Sequence, residues 1–401
     1  MKKNLIILTL IISYLQPNVI NEIIITGNDI TKESVILDLI SHVPGDSINI
    51  QKAIEDQEAL FNSGLFYDAI IYPDSSNYYI FVFEKPKILG TPAADKNEIL
   101  GWSYGGSLLF NNIKGENKKL KITTLIGATT LFDIQYNDPK LFSLQDSLNI
   151  NIYNKLYNND LNNYEIYKQG IKASIALLTK NQKHQLNISN QIEYYKLYLE
   201  NGMKEKNYSL TNSIGYQFYQ PKNSLQIKLS HLLFKKIYNN YIALELENKH
   251  YIYFNQNYNG RILLKNKLKI NFNNDIPIHH KDYLISEDYV RGYDIENLSD
   301  LPHITNQLLW DKITTFTTQF ELPFYSMGSI NTKLLFFWDW GYAWNGKLSS
   351  NHTNSENLKI RSFGTGMRYD IMGMGYVDIC IGLNPYNGNK EIQGIANFTN
   401  F

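Results

Sequence analysis

Between Ile262 and Phe272 the chain alternates cleanly. Leu264, Leu268, Ile270 and Phe272 fall on one side of an extended backbone, and Lys265, Lys267, Lys269 and Asn271 on the other. Successive strand side chains point to opposite faces, so a strand with lysine at every second position needs one wet face and one apolar face. The separation is equally complete in Leu225-Gln-Ile-Lys-Leu-Ser230, and Leu120, Ile122 and Ile126 share one side of their segment. From roughly Glu98 onward helical periodicity vanishes and segments of about ten residues alternate in this way, the pattern of a membrane-spanning β-barrel. A soluble β-sandwich also has one wet face, but its strands average nearer five or six residues. Here the segments are longer and tyrosine gathers near their ends. The 30 tyrosines and 19 phenylalanines of the 401 residues suit a boundary between apolar and wet surfaces. Beyond the N-terminus no run of about 18 apolar residues occurs, so any crossing of a membrane is made by strands, and in lipid only a closed barrel satisfies every strand's backbone groups. Eleven segments precede residue 273 and five follow about residue 310, at approximately 312–323, 330–342, 361–370, 374–383 and 391–401. The expected fold is a 16-stranded transmembrane antiparallel β-barrel over 98–401. The long stretch 273–310 is its exception, mixed in polarity and not strand-like throughout; long loops of that kind are commonly functional.

The first hundred residues read differently. Lys2 and Lys3 followed by the apolar run Leu5 to Tyr14 have the layout of a secretory signal peptide over 1–16, which marks an exported protein. Residues 20–87 form a small α+β pattern. Glu22-Ile-Ile-Ile-Thr26 is a strand closed by Gly27-Asn28; Thr31 then caps a helix from Lys32 to His42. A second helix from about Ile50 to Asn62 stops at Gly64, and strands at Tyr67–Tyr72 and Tyr78–Phe83 follow. Residues 88–97 read as a linker. Lys+Arg and Asp+Glu are equal at 38 each, which gives no reason to expect a nucleic-acid partner. Cys380 is the only cysteine, so there is no intramolecular disulfide; its alternating neighbours point to a buried or lipid-facing thiol.

The strand–helix–helix–strand–strand order resembles a POTRA domain, the periplasmic module of protein-transporting barrels. The matching residues are Ile25-Thr-Gly-Asn28 in the first strand, Asn62-Ser-Gly-Leu-Phe-Tyr-Asp68 before the second, and Phe83-Glu-Lys-Pro86 after the third, so Gly27, Gly64, Phe66 and Pro86 carry the motif. In the long loop, Val290-Arg-Gly-Tyr293 resembles the signature of the sixth extracellular loop in the BamA/TamA superfamily, which also includes two-partner secretion transporters. The resemblance implies that this loop folds back into the lumen and that Arg291 is held there by acidic residues of the wall. Phe320-Glu-Leu-Pro-Phe324 and Phe336-Phe-Trp-Asp-Trp-Gly-Tyr-Ala-Trp344 resemble the strands that supply them, making Glu321 and Asp339 the expected partners. A guanidinium presents a planar fork that carboxylates engage bidentately; Gly292 lets the tip turn tightly, and Tyr293 completes the motif. Tyr136-Asn-Asp-Pro139 resembles an early strand end of the family, and Phe401 the aromatic C-terminal residue read by the assembly machinery, although Phe398 falls off its face.

No phosphate loop and no Ser-His-Asp arrangement can be named from spacing, so no enzyme activity is expected. His279-His280 with Asp282 lack further spaced ligands and read as solvated loop residues, not a metal site; no cofactor is expected. The resemblance implies an outer-membrane assembly or insertion factor whose periplasmic domain receives unfolded outer-membrane or secreted clients. Outer-membrane lipid and other assembly-machinery subunits are its expected surroundings, with no nucleic acid. A transporter dedicated to one secreted client and a passive pore are the alternatives. A single POTRA unit, with residues 17–20 leaving no room for another upstream, departs from the larger numbers in the main relatives and points to a reduced, accessory member.

Overall fold

The computed structural model describes residues 19–74, 76–97, 100–141, 146–159, 163–179, 183–220, 222–235, 238–254, 260–273, 276–286, 289–293, 309–327, 330–345, 357–371, 375–386 and 388–397. The signal-like residues 1–16, residues 294–308 of the long loop and Phe401 lie outside them. The chain divides into two compact units, one of residues up to 89 together with 109–120, the other of 90–108 together with 121 onward.

The first unit runs β1 (Glu22–Thr26), α1 (Glu33–Leu39), α2 (Ile50–Asn62), β2 (Phe66–Asp74) and β3 (Asn77–Glu84). Its sheet has the order β1-β3-β2, with β1 parallel and β2 antiparallel to the central strand. The apolar stripes of the helices meet that sheet in a core built on Ile36, Leu60, Phe66, Tyr78 and Ile80. Gly27 leaves β1 at φ +87°, and a Cβ there would lie 2.1 Å from the carbonyl oxygen of Val82, so no other residue fits. Gly64 follows α2 at φ +74°, Phe66 is fully buried, and Pro86 lies just beyond β3. Thr31 does not cap α1 as expected. The helix begins at Glu33 with no side-chain cap, because the Glu84 carboxylate accepts the Ile30 and Thr31 amides at 2.7 and 2.6 Å. The Thr31 hydroxyl instead accepts from Asn112 Nδ2 at 2.7 Å.

A polar knot sits inside this unit. Asp56 on α2 accepts from the Ser41 amide and hydroxyl, both at 2.6 Å, and from the Tyr78 hydroxyl at 3.0 Å, with His42 Nδ1 2.6 Å away. Burial pushes the Asp56 carboxyl up, but the hydrogen bonds from Ser41 and His42 outweigh it and hold the group below its ordinary value of 3.8. A carboxyl depressed by folding contributes stability above its unfolded value and loses it as pH falls through the folded one. Acidification is therefore expected to open this unit below about pH 3.8. Asp56→Ala, which strands several buried donors, is expected to cost about 3–5 kcal/mol at neutral pH. Limited proteolysis of the full chain across a pH series checks both; equal protection of wild type and variant would refute the role given to Asp56.

The second pattern fills the rest of the chain. Its strands are β4 (Ile88–Asn97), β5 (Gly101–Ile113), β6 (Lys118–Gly127), β7 (Thr129–Asp138), β8 (Asp146–Asn159), β9 (Tyr164–Leu178), β10 (His184–Leu199), β11 (Lys204–Gln220), β12 (Asn223–Phe234), β13 (Tyr241–Tyr253) and β14 (Arg261–Asn271). After the short pair β15 (Asp282–Tyr283) and β16 (Leu309–Trp310) come β17 (Lys312–Met327), β18 (Ile330–Trp344), β19 (Asn357–Ile371), β20 (Gly375–Leu383) and β21 (Lys390–Asn397). All but β15 and β16 form one sixteen-stranded sheet in chain order, with β4 and β21 at its two ends. The sequence reading placed eleven strands between 98 and 273; ten lie there, and the eleventh is β4. Residues 88–97 are thus a strand and not a linker. Pro92 disguises it in the sequence, but an end strand pairs along one edge only and tolerates the missing N–H.

Alternation holds along the strands. On β18 the even-numbered Phe336, Trp338 and Trp340 are exposed, whereas the odd-numbered Leu335, Phe337 and Asp339 are buried. Exposed Ile188 and Ile192 on β10, Ile214 on β11, and Ile379 and Ile381 on β20 continue the apolar outer face. So large an apolar surface is foreign to a soluble monomer and native to lipid. No described helix is long and apolar enough to cross a membrane; the strands do so.

Candidate functional site: a loop locked across the sheet

The segment between β14 and β17 lies against the opposite, polar face. Tyr283 accepts a hydrogen bond from Asn159 of β8 at 2.7 Å, and Gly292 packs on Gly382 of β20. In a flat sheet the ten inter-strand spacings between β8 and β20 would span roughly 48 Å. The nine residue-to-residue steps from Tyr283 to Gly292 reach roughly 31 Å even when fully extended. The sheet therefore curls around this loop.

Its tip is gripped by chemistry and by shape. Arg291 donates from Nε and Nη2 to the two carboxylate oxygens of Asp339, at 2.8 and 3.0 Å, and from Nη1 to Gln319 Oε1 at 2.9 Å. Its guanidinium lies 3.7 Å from the centre of the Phe337 ring, a stacking that lysine's compact ammonium does not reproduce. Val290, Leu284 and Tyr293 enter a buried cluster with Trp310, Ile313, Ala343 and Ile360, and the Tyr293 hydroxyl donates to the Arg361 carbonyl at 2.5 Å. Gly292 has φ +85°, and a Cβ there would lie 2.8 Å from the Gly382 Cα. Gly341 makes similar room, since a Cβ on it would meet Val290 Cγ2 at 2.5 Å.

Asp339 thus receives Arg291, whereas Glu321 does not. Glu321, completely buried, takes Arg261 Nε at 2.7 Å and Arg368 Nη1 at 3.0 Å. Among the described residues it is linked to the loop tip through Gln319, whose Nε2 donates to Glu321 Oε1 at 3.0 Å. Arg368 also grips both oxygens of Asp378 at 2.7 Å. Three arginines and three carboxylates make the network electrically neutral, which is what permits so many charges to be buried together. The strand register decides the correction: Arg261 is directly opposite Glu321, and Arg368 directly opposite Asp378. Gln319, Arg261, Arg368 and Asp378 were missed by sequence reasoning; the period-2 faces hint at them, but the register does not follow from local pattern.

A cavity of about 480 Å³ adjoins the network, lined among others by Tyr251, Arg261, Lys265, Arg368 and Tyr376. The lysine face of β14 points to this wet side. Lys267 reaches Glu247 at 3.6 Å and Lys269 pairs with Asp282 of the loop. His279 and His280, expected to be solvated, lie against the β10 and β13 walls instead, beside Tyr195 and Tyr241. Cys380 is fully buried on the same face, in contact with Leu335 and Phe337.

A small α+β domain, a sixteen-stranded sheet with an outer apolar face, and an arginine-tipped loop held within the curl define an outer-membrane β-barrel of the protein-handling class. The chain belongs to the Omp85 superfamily: the family's "Omp85 superfamily domain" model matches residues 112–399. A POTRA model, described as "Surface antigen variable number repeat", matches residues 18–85. BamA from Haemophilus ducreyi lacking POTRA domains 1–3 is similar in structure, with a TM-score of 0.63 at 14% identity, over 94% of this chain and 84% of that one. CdiB from Escherichia coli gives a TM-score of 0.61 at 10% identity, over 95% and 75% of the two chains. CdiB from Acinetobacter baumannii gives 0.58 at 14%, over 94% and 73%. A search of curated protein sequences finds no match.

Proposed function

We propose that this protein is an assembly factor that inserts client proteins into the outer membrane, its POTRA domain standing in the periplasm. The observation that carries this reading is the loop seated across the curled sheet. Held by a neutral buried network and an apolar cluster, it obstructs a route through the interior and favours a lateral one. The lateral route lies between β4 and β21, the two ends of the sheet. In the POTRA domain β2 is an edge of the sheet with Tyr67, Ile70 and Tyr72 exposed. An unfolded client adds to such an edge as a further strand. No step forms or breaks a covalent bond.

Quantitative proteomics of outer membrane and medium after depletion of the protein tests this. Loss of several outer-membrane barrels is the expected result. Loss of a single protein from the medium with the membrane unchanged would replace insertion by dedicated export, a reading compatible with the likeness to the CdiB fold. No change in either fraction, with steady ion conductance by the purified protein, would make it a passive pore.

A further inference from the structure

The sequence offers His279 and His280 without a third ligand nearby; the fold supplies one. Glu193, 86 positions earlier on β10, is buried beside the 3-10 turn Ile278–His280. One ligand atom from each of Glu193, His279 and His280 lies within 4.8 Å of the other two. Both ring nitrogens of His279 are sealed from solvent and have no hydrogen-bond partner among the described residues. An imidazole buried in that state is costly, about 1–3 kcal/mol, unless something engages it.

We propose that Glu193, His279 and His280 form a transition-metal site, filled by Zn²⁺ or a similar imidazole-preferring cation, that fastens the first part of the loop to β10. The donors suit such an ion: two imidazoles and one carboxylate with a fourth position for water is a known zinc set, whereas Ca²⁺ and Mg²⁺ require oxygen-rich cages. The outer contacts are those that orient metal ligands. His280 Nδ1 bonds the Tyr241 hydroxyl at 2.6 Å, which leaves Nε2 for the ion. The Tyr153 hydroxyl donates to Glu193 Oε2 at 2.5 Å, which leaves Oε1. His279 is held edge-on by Tyr195, with ring centres 4.4 Å apart. Lys168 opposes the site, with its ammonium 3.9 Å from Glu193 Oε1. That separation exceeds a hydrogen bond, so a dication displaces it at a moderate penalty. Asp282, the partner suggested by sequence proximity, is spent on Lys269. Bound metal would join β10 to the loop's first part, as Arg291 joins β18 to its tip.

Tag-free full-length protein, stripped with EDTA in detergent micelles, is titrated with Zn²⁺ in a calorimeter and with Co²⁺ in a spectrophotometer. One Zn²⁺ per chain and the intense visible bands of four-coordinate Co²⁺ are expected. His279→Ala should weaken Zn²⁺ binding roughly 100-fold or more, and Tyr241→Phe, which leaves the ligands in place, roughly tenfold. Migration of unboiled protein on a denaturing gel checks that each variant is folded. Absence of binding in the folded wild type, or His279→Ala binding as tightly as wild type, overturns the proposal. Should His279→Ala fail to fold, Tyr241→Phe decides it by the same criterion.

Discussion

Arg291→Ala is expected to release the loop tip while leaving the sixteen strands intact. The substitution removes both hydrogen bonds from the guanidinium to Asp339 and the one to Gln319. It leaves the Asp339 carboxylate, which is completely buried, without its counter-charge. Removing one partner of a buried pair costs about 3–5 kcal/mol, because the other charge remains in a poorly solvating place. The cheapest relief is local: the tip lifts and water reaches Asp339. The protein carries its own reporter of that event. Cys380 is the only cysteine, has no exposure, and lies on the face of β20 that the tip covers through Gly382. Its alkylation by a maleimide in folded, detergent-solubilised protein should accelerate about 100-fold or more, as about 3 kcal/mol implies at tenfold per 1.4 kcal/mol. Arg291→Lys retains the charge but loses the fork and the stack on Phe337, so its rate should fall between wild type and alanine. Alkylation equally slow in all three would mean that the arginine does not hold the tip.

The second large effect is steric. Gly382→Ala introduces a Cβ that would lie 2.2 Å from the Gly292 Cα and 2.8 Å from its nitrogen. Both neighbours are backbone, and neither can rotate away. Two backbones that cross at this distance must separate, so the seat of the tip is lost even with Arg291 present; overpacking costs of about 1–3 kcal/mol are the lower end of what is expected. Gly292→Ala adds the penalty of a left-handed backbone, φ +85°, to the same collision and should be worse. Gly388→Ala is the control. It shares a positive φ of +77° but has nothing within 4 Å of the added carbon, so it reports the backbone penalty alone. The protection of Cys380 from alkylation and the proposed assembly activity should be lost together in Gly382→Ala and retained in Gly388→Ala. Wild-type behaviour of Gly382→Ala would show that the loop tip does not bear on β20 in the working protein.

Taken together, the two variants separate the parts of the lock. Arg291 fixes the tip through charge and hydrogen bonds, and the Gly292–Gly382 crossing through the absence of side chains. The apolar cluster around Val290 and Tyr293 persists in both, so the loop is expected to loosen at its tip before it leaves the interior.

The alternation of apolar and polar residues determined the two-faced strands, because side-chain direction along an extended chain is a local property. The helices, the turn at Gly64 and the long loop were legible for the same reason: each depends on residues within a few positions of one another. Arg291, Gly292 and Asp339 were visible through the motif and the wall strand that resembles its family partner. What failed in the sequence depended on position in the sheet. Pro92 concealed β4 because its missing N–H is harmless only on an end strand, and being at the end is a fact of the assembled sheet. Glu321 was assigned to Arg291 because both are in the expected order along the chain. Pairing register placed Arg261 directly opposite Glu321, and only the register brings Arg368 and Asp378 into the same network. Glu193 met His279 and His280 across 86 positions of sequence for a similar reason, since the loop crosses the curl to reach β10. Local pattern determined which face each residue takes; only the tertiary structure decided which faces meet, because a shift of one strand position moves every partner to the opposite side.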